Sequence, residues 1–364
     1  MKKTATLIII SLLINGFCFG QNTYIYSKPK KLKDGWQTND LKSQNIDTTL
    51  IFKMFNQLKN RQNKIQSILL VKNNQIIIEE YLNGQVLNQK HDLRSATKSI
   101  RSILLGIAID KGFINNINDP ISKYLKHPIA KKNIDNQKER ITIKHLLTMS
   151  SGLDCNDWDK KSKGQEDKIY KKKDWLQYAI NLPMVNEPGT VSNYCSIGTV
   201  MIAEIISQAS GMTIDKFADK YLFNPLGITN KTWSHTSSKK VIPSAKRLYM
   251  TSRDMAKIGQ LILNNGKWYE DQIVSKHWIE ESTTPKTKIA AIDYGYLWWN
   301  IPFKTDNKMF VSKTALGNGG QYIMVFPELD IVVIFTGNAY NSQEDKLPFK
   351  AITDILLPTF IPKN

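Results

Sequence analysis

Short, uninterrupted apolar runs cluster at the two ends of this chain, and that separation limits how it can fold more than any other feature. Ile68-Leu69-Leu70-Val71 and Ile76-Ile77-Ile78 flank Asn73-Asn74, which predicts a hairpin of buried strands running on to Tyr81. Near the other end, Tyr294 to Ile301, Gln321 to Phe326 and Ile331 to Thr336 also read as strands, followed by a helix from about Phe349 to Leu357. Helical spacing dominates between them. A short helix is expected from Ile141, ending at glycine near Gly152, another from Gly198 to Ser207, and a third from Phe217 to Gly227. Thr251-Ser252-Arg253-Asp254 caps a further helix with Met255, Ile258, Leu261 and Ile262 on one face. Strands at both ends with helices between them require a sheet assembled from distant segments and covered by helices.

The N-terminus reads as a leader. Met1-Lys2-Lys3 and the apolar stretch from Thr4 to Phe19 form a charged n-region and a short h-region, and Cys18-Phe19-Gly20 offers a cleavage site. Residues 1–20 are therefore expected to be a signal peptide, and Gln21 the start of a soluble periplasmic or secreted protein. The run is too short for a membrane span, so no stable membrane insertion is expected. Residues 21–47 are polar and lysine-rich, without a period, and read as an N-terminal extension. The formal charge of +18 comes from scattered lysines with no nucleic-acid-binding motif beside them. Solubility and attraction to anionic envelope surfaces follow from it; nucleic acid as a partner does not.

Ser95 opens an apolar helix in which Ile100, Ile103, Leu104, Ile107 and Ala108 recur at three and four residues, and Lys98 stands one turn on. Positions i and i+3 share a helix face, so the amine can reach the hydroxyl in an S-x-x-K arrangement. A serine three residues before a lysine also occurs at Ser27/Lys30 and Ser237/Lys240, but those lie in polar stretches beside proline. On the helix alone, Ser95 reads first as an N-cap with a solvated lysine, since such caps are common.

More distant residues decide between those readings. With Ser95-Ala96-Thr97-Lys98, the segment Tyr194-Cys195-Ser196 and the segment Asn318-Gly319-Gly320, the chain resembles the serine β-lactamase and penicillin-binding protein superfamily. The likeness is to its class C-like branch of β-lactamases, esterases, amidases and D-amino-acid peptidases, from about residue 50 onward. The resemblance implies an α/β (α+β) fold of the β-lactamase/transpeptidase type. Its mostly antiparallel sheet would come from about 48–104 and 240–362, with a helical region at about 105–239, in one hydrolase domain over 48–362. It implies Ser95 as nucleophile, Lys98 priming it and Tyr194 shuttling its proton. Ser196, Asn318, Gly319, Gly320 and Gln321 would bind substrate, with the N–H groups of Ser95 and Gln321 as the oxyanion hole.

The implied activity is cleavage of an ester or amide in a small-molecule or peptide substrate through an acyl-enzyme, without metal or organic cofactor. D-alanyl-D-alanine carboxypeptidase and β-lactamase activities are alternatives, as is an inactive relative that binds envelope peptides or glycans. Two departures bear on this choice. Asn318 stands where many relatives have lysine or histidine, which removes a counter-charge for a substrate carboxylate. Ser196 stands in the place of asparagine. Arg247 is expected at the surface, and His145 is expected to support a helix. The chain has no G-x-S-x-G elbow, and its five histidines lack metal-ligand spacing. Cys155 and Cys195 flank the site stretches and are either disulfide-bonded or two buried thiols.

Overall fold

Strand pairing joins the two ends of the chain into one sheet in the computed structural model, which describes residues 23–125, 130–235, 245–305 and 308–361. The expected leader, His127 and the Ser237/Lys240 pair lie outside the described residues. The strands are β1 (Gln37–Thr38), β2 (Ile65–Lys72), β3 (Gln75–Tyr81), β4 (Thr287–Ile289), β5 (Ile292–Tyr294), β6 (Trp299–Lys304), β7 (Met309–Gly317), β8 (Gln321–Phe326) and β9 (Ile331–Gly337). Their spatial order is β1-β3-β2-β9-β8-β7-β6-β5-β4, antiparallel throughout except for β1 against β3. The seam between the ends is β2 with β9, in a register that pairs Leu70 with Val333. Both strands are buried along almost their whole length, which is why they read as continuous apolar runs rather than alternating ones. Asn73 and Asn74, at φ 50° and 57°, make the tight β2–β3 turn that asparagine tolerates better than other side-chain-bearing residues.

The helices are α1 (Thr49–Asn60), α2 (Ala96–Asp110), α3 (Ser196–Ser210), α4 (Ser252–Leu263) and α5 (Lys276–Thr283), with shorter turns between them. Helix α2 packs on β7, β8, α3 and α5, and α4 packs across β9, β8 and β2. From Ala96 to Ala108 every residue of α2 is buried, so the helix that follows Ser95 is a core element. Two of its polar residues are tied to neighbouring elements: the Ser99 hydroxyl donates to Leu297 O at 2.6 Å and Arg101 Nη1 to Thr199 Oγ1 at 2.9 Å.

Several elements differ from the sequence expectation. Tyr294 to Ile301 is two strands, because the chain turns at Gly295–Trp298 with Leu297 at φ 65°. The helix expected up to Gly152 is confined to Ile143–Leu147; Met149 at φ 58° has already left it. Strand β7 carries no apolar run, since its buried Ser312 and Thr314 hydrogen-bond one another at 2.8 Å. The expected extension is docked rather than loose: β1 is a sheet edge, and Trp36 is 2 % exposed with its indole N–H donating to Arg253 O at 3.1 Å. Arg253 makes a two-point bond to Glu79, 2.6 Å on each arm, and reaches Asp34 at 2.8 Å, which ties residues 30–36 to the sheet.

Gly106 is where α2 meets α5. A Cβ there would fall 2.0 Å from the Trp278 ring, which itself donates to Ser102 O at 2.9 Å. Gly106→Ala is expected to lower folding stability by about 1–3 kcal/mol through overpacking, read as a lower denaturant midpoint with unchanged slope.

Candidate active site

Arg94, at φ 50°, turns the chain sharply into α2 and leaves Ser95 at the helix mouth. The Ser95 hydroxyl makes no capping bond to the helix. It accepts instead from Lys98 Nζ at 2.8 Å. Lys98 is 5 % exposed, and its amine lies 4.9 Å from the centroid of the Tyr194 ring. Ser95 thus stands at the N-cap position without its hydroxyl capping the helix, and the lysine is not a solvated surface residue.

Tyr194 sits in the extended segment entering α3. Its carbonyl accepts from Asp157 N at 2.8 Å, and the preceding Asn193 N donates to Met149 O at 2.9 Å. Its ring lies 5.2 Å from Trp158 at an interplanar angle of 8° and 5.7 Å from Trp299. Such stacked pairs contribute about 0.5–1.5 kcal/mol each beyond area burial, enough to hold a phenol in place over a lysine.

Asn318-Gly319-Gly320 forms the turn from β7 to β8, with both glycines near φ 91°. A Cβ on Gly319 would fall 2.4 Å from the Tyr340 ring, so only glycine fits there. Just before the turn, a Cβ on Gly317 would fall 2.2 Å from Leu93 O, which shows how closely β7 approaches the segment leading to Ser95. A cavity of about 550 Å³ collects Ser95, Lys98, Tyr194, Ser196 and Asn318. Gly319, Gly320 and Gln321 continue from its edge without lining it. The Gln321 side chain is buried and donates to Gly337 O at 2.5 Å.

The Beta-lactamase family profile matches residues 66–357 of this sequence. The chain belongs to the Beta-lactamase family. It is 21 % identical over 290 residues to the 6-aminohexanoate-dimer hydrolase of Paenarthrobacter ureafaciens, covering 74 % of this chain and 71 % of that protein. Protein flp of Staphylococcus aureus (strain N315) is 25 % identical over 185 residues, 48 % of this chain but 35 % of flp. Among solved structures, the octameric penicillin-binding protein homologue from Pyrococcus abyssi superposes with a TM-score of 0.66 at 19 % identity, covering 85 % of this chain and 77 % of that one. A class C β-lactamase gives 0.64 at 14 % identity, covering 87 % and 96 %. The fold is therefore β-lactamase/transpeptidase-like, and family and relatives together mark the chain as a serine hydrolase of that superfamily.

Within the family frame, the third element departs further than its sequence suggests. The Asn318 amide donates to Asn341 Oδ1 at 2.8 Å and accepts from Asn341 N at 3.0 Å, so both its ends are committed to the next loop. Arg247 is not a surface arginine. Its side chain is 19 % exposed, lines the cavity, and shares Asp92 with Arg94, each at 3.0 Å. His145 does support a helix, with its Nδ1 accepting from Thr142 N at 3.2 Å in a capping box.

Sequence reasoning missed Asp157, Trp158 and Trp299. The first two belong to the polar segment 154–173, and their only signal was the neighbouring Cys155. Cys155 is disulfide-bonded to Cys195, with Cα atoms 5.5 Å apart, which fastens this segment beside Tyr194. Asp157 Oδ2 accepts from Ser196 N at 2.8 Å. Burial raises its carboxyl, Lys98 pulls it down, Glu166 raises it and Ser196 lowers it, leaving it at about 6 against an ordinary 3.8. The folded state thus binds this proton more tightly than the unfolded chain. Ionised Asp157 subtracts from stability above pH 6, and the loss is recovered as pH falls from about 6 through 3.8.

Replacing Cys155 and Cys195 by serine is expected to lower stability by roughly 2–4 kcal/mol in denaturant titration. Intact mass after alkylation, with and without reductant, checks the bond itself: the native chain is expected to take up label at both positions only after reduction.

Proposed function

We propose that the chain is an exported serine hydrolase that cleaves an ester or amide bond through an acyl-enzyme on Ser95. The observation that carries this reading is the 2.8 Å contact from the amine of a buried lysine to a serine hydroxyl that makes no capping bond, both lining one cavity. Ser95 Oγ attacks the substrate carbonyl while its proton enters the Lys98–Tyr194 network. That proton then passes to the leaving alcohol or amine as the C–O or C–N bond breaks. Water attacks the resulting ester, gives its proton to the same network, and Ser95 recovers its own. Backbone N–H groups of Ser95 and Gln321 are the proposed oxyanion donors, since the β7–β8 turn lies close to the segment preceding Ser95.

At the third element a neutral ester or amide is favoured, because Asn318 offers no charge and its amide is committed to Asn341. Arg94 and Arg247 share the single carboxylate of Asp92, which leaves one positive charge on the cavity wall. The relative named for 6-aminohexanoate dimer supports an amide among the substrates. Residues 1–20 and a disulfide next to the site support export, since such bonds persist in oxidising compartments.

A fluorophosphonate probe is expected to label the native protein at one site per chain and to leave Ser95→Ala unlabelled. Lys98→Ala is expected to slow labelling by roughly 10²–10⁴-fold with the fold intact by circular dichroism. Labelling that persists in Ser95→Ala would remove the assignment.

A further inference from the structure

We propose that Trp158 determines substrate specificity: its exposed indole is the platform for an uncharged, flat apolar ring on the leaving-group side of the ester or amide. This rests on the Ser95 acyl-enzyme reading and narrows the substrate class of the same site.

Three aromatic rings line the cavity beside the nucleophile, from Trp158, Tyr194 and Trp299. Trp158 and Tyr194 have centroids 5.2 Å apart at 8°, Tyr194 and Trp299 5.7 Å apart at 26°, and Trp158 and Trp299 6.4 Å apart at 18°. The rings are thus close to parallel and form one aromatic wall. Tyr194 and Trp299 are 7 % and 5 % exposed, whereas Trp158 is 58 % exposed, so Trp158 is the member with surface left to bury. Measured contacts lead from it back to the chemistry. The Lys98 amine lies 4.9 Å from the centroid of the ring on which Trp158 stacks, and 2.8 Å from Ser95 Oγ.

The exposed indole is nonetheless fixed. Its own N–H of the main chain donates to Asn156 Oδ1 at 3.0 Å, and Asn156 N donates to Ser162 Oγ at 2.9 Å. Asp157 N donates to the Tyr194 carbonyl and Asp157 Oδ2 accepts from Ser196 N, each at 2.8 Å, while Cys155 is bonded to Cys195. From Asn156 to Lys168 the chain has no other large apolar side chain, and this one faces the cavity rather than the core. A held indole with only two side-chain torsions loses little freedom when a ligand covers it, which makes it an effective contact surface.

The end of the substrate that meets it follows from the proton path. The Lys98–Tyr194 network returns the serine proton to the leaving atom, so that atom must come beside Tyr194, and a group attached to it extends along Trp158. Between Asp157 and Lys168 the acids Asp157, Asp159, Glu166 and Asp167 are matched by four lysines, so this rim selects by shape and apolar area rather than by charge. A cavity of about 550 Å³ has room for such a ring next to the reacting carbonyl.

The test compares benzyl acetate with ethyl acetate, which give the same acetyl-enzyme and release alcohols of similar acidity, so the ratio of their kcat/KM values reads recognition of the leaving group. The native enzyme is expected to prefer the benzyl ester, and Trp158→Ala to lower that preference roughly tenfold. Trp158→Phe, which keeps a ring, is expected to retain most of it. Trp158→Leu, which fills part of the space without a ring, is expected to fall with alanine and serves if alanine disturbs the Tyr194 segment. A benzyl preference absent from the native enzyme, or kept in the folded alanine and leucine variants, would overturn the platform while fluorophosphonate labelling of Ser95 still supports the acyl-enzyme. A loss that appears instead in the ratio of ethyl phenylacetate to ethyl acetate would overturn its placement on the leaving-group side. A native protein that does not label at Ser95 would overturn both readings.

Discussion

A lysine amine that is 5 % exposed and held 2.8 Å from a serine hydroxyl is an expensive arrangement, because taking an ammonium out of water costs several kcal/mol unless its surroundings compensate. Most of what is specific about this structure supplies that compensation. The serine oxygen accepts a hydrogen bond from the amine, the face of Tyr194 lies 4.9 Å away, and Asp157 lines the same cavity. Helix α2 can present the pair only because the remainder of the helix is fixed in the core, with Gly106 pressed onto Trp278 and Ser99 tied to the Leu297 carbonyl. The β2–β9 seam brings the C-terminal strands, and with them the Asn318–Gly320 turn, next to the serine.

The second wall of the cavity is held differently. Segment 154–173 contributes only one short helix, Glu166–Ile169, and depends on the disulfide, the two Asp157 hydrogen bonds and the Trp158–Tyr194 stack for its position. Against the family pattern, Asn318 has exchanged a charge for a lock on the Asn341 loop. The cavity is lined by charges of both signs, Lys98, Arg101 and Arg247 with Asp157 and Glu166 among them.

What could be read from the sequence follows from physical signal. Strands β2, β8 and β9 are buried over most of their length and β3 at Ile76–Ile78, and they show as apolar runs, so the sheet's two-ended origin was legible. The helix after Ser95 was legible by its spacing. Strand β7 was not, because Ser312 and Thr314 satisfy each other inside the sheet and leave no apolar period. The docking of residues 30–36 was also hidden, since it depends on one arginine, Arg253, whose partners lie up to 223 positions away in sequence. Ser95, Lys98 and Tyr194 were accessible through their motifs, whereas Asp157 is a single acidic residue in a polar stretch. Nothing local distinguishes such a residue from a solvated one; its burial and its bond to Ser196 exist only once the chain is folded.

The central claim is that Ser95 carries the acyl group. Acid-quenched mass spectrometry during turnover of an activated ester such as p-nitrophenyl acetate tests it directly. The account expects a mass increase equal to one acyl group, lost again as hydrolysis completes, and located by peptide mapping at Ser95. Turnover with the adduct on another residue, or turnover undiminished in Ser95→Ala, would contradict it.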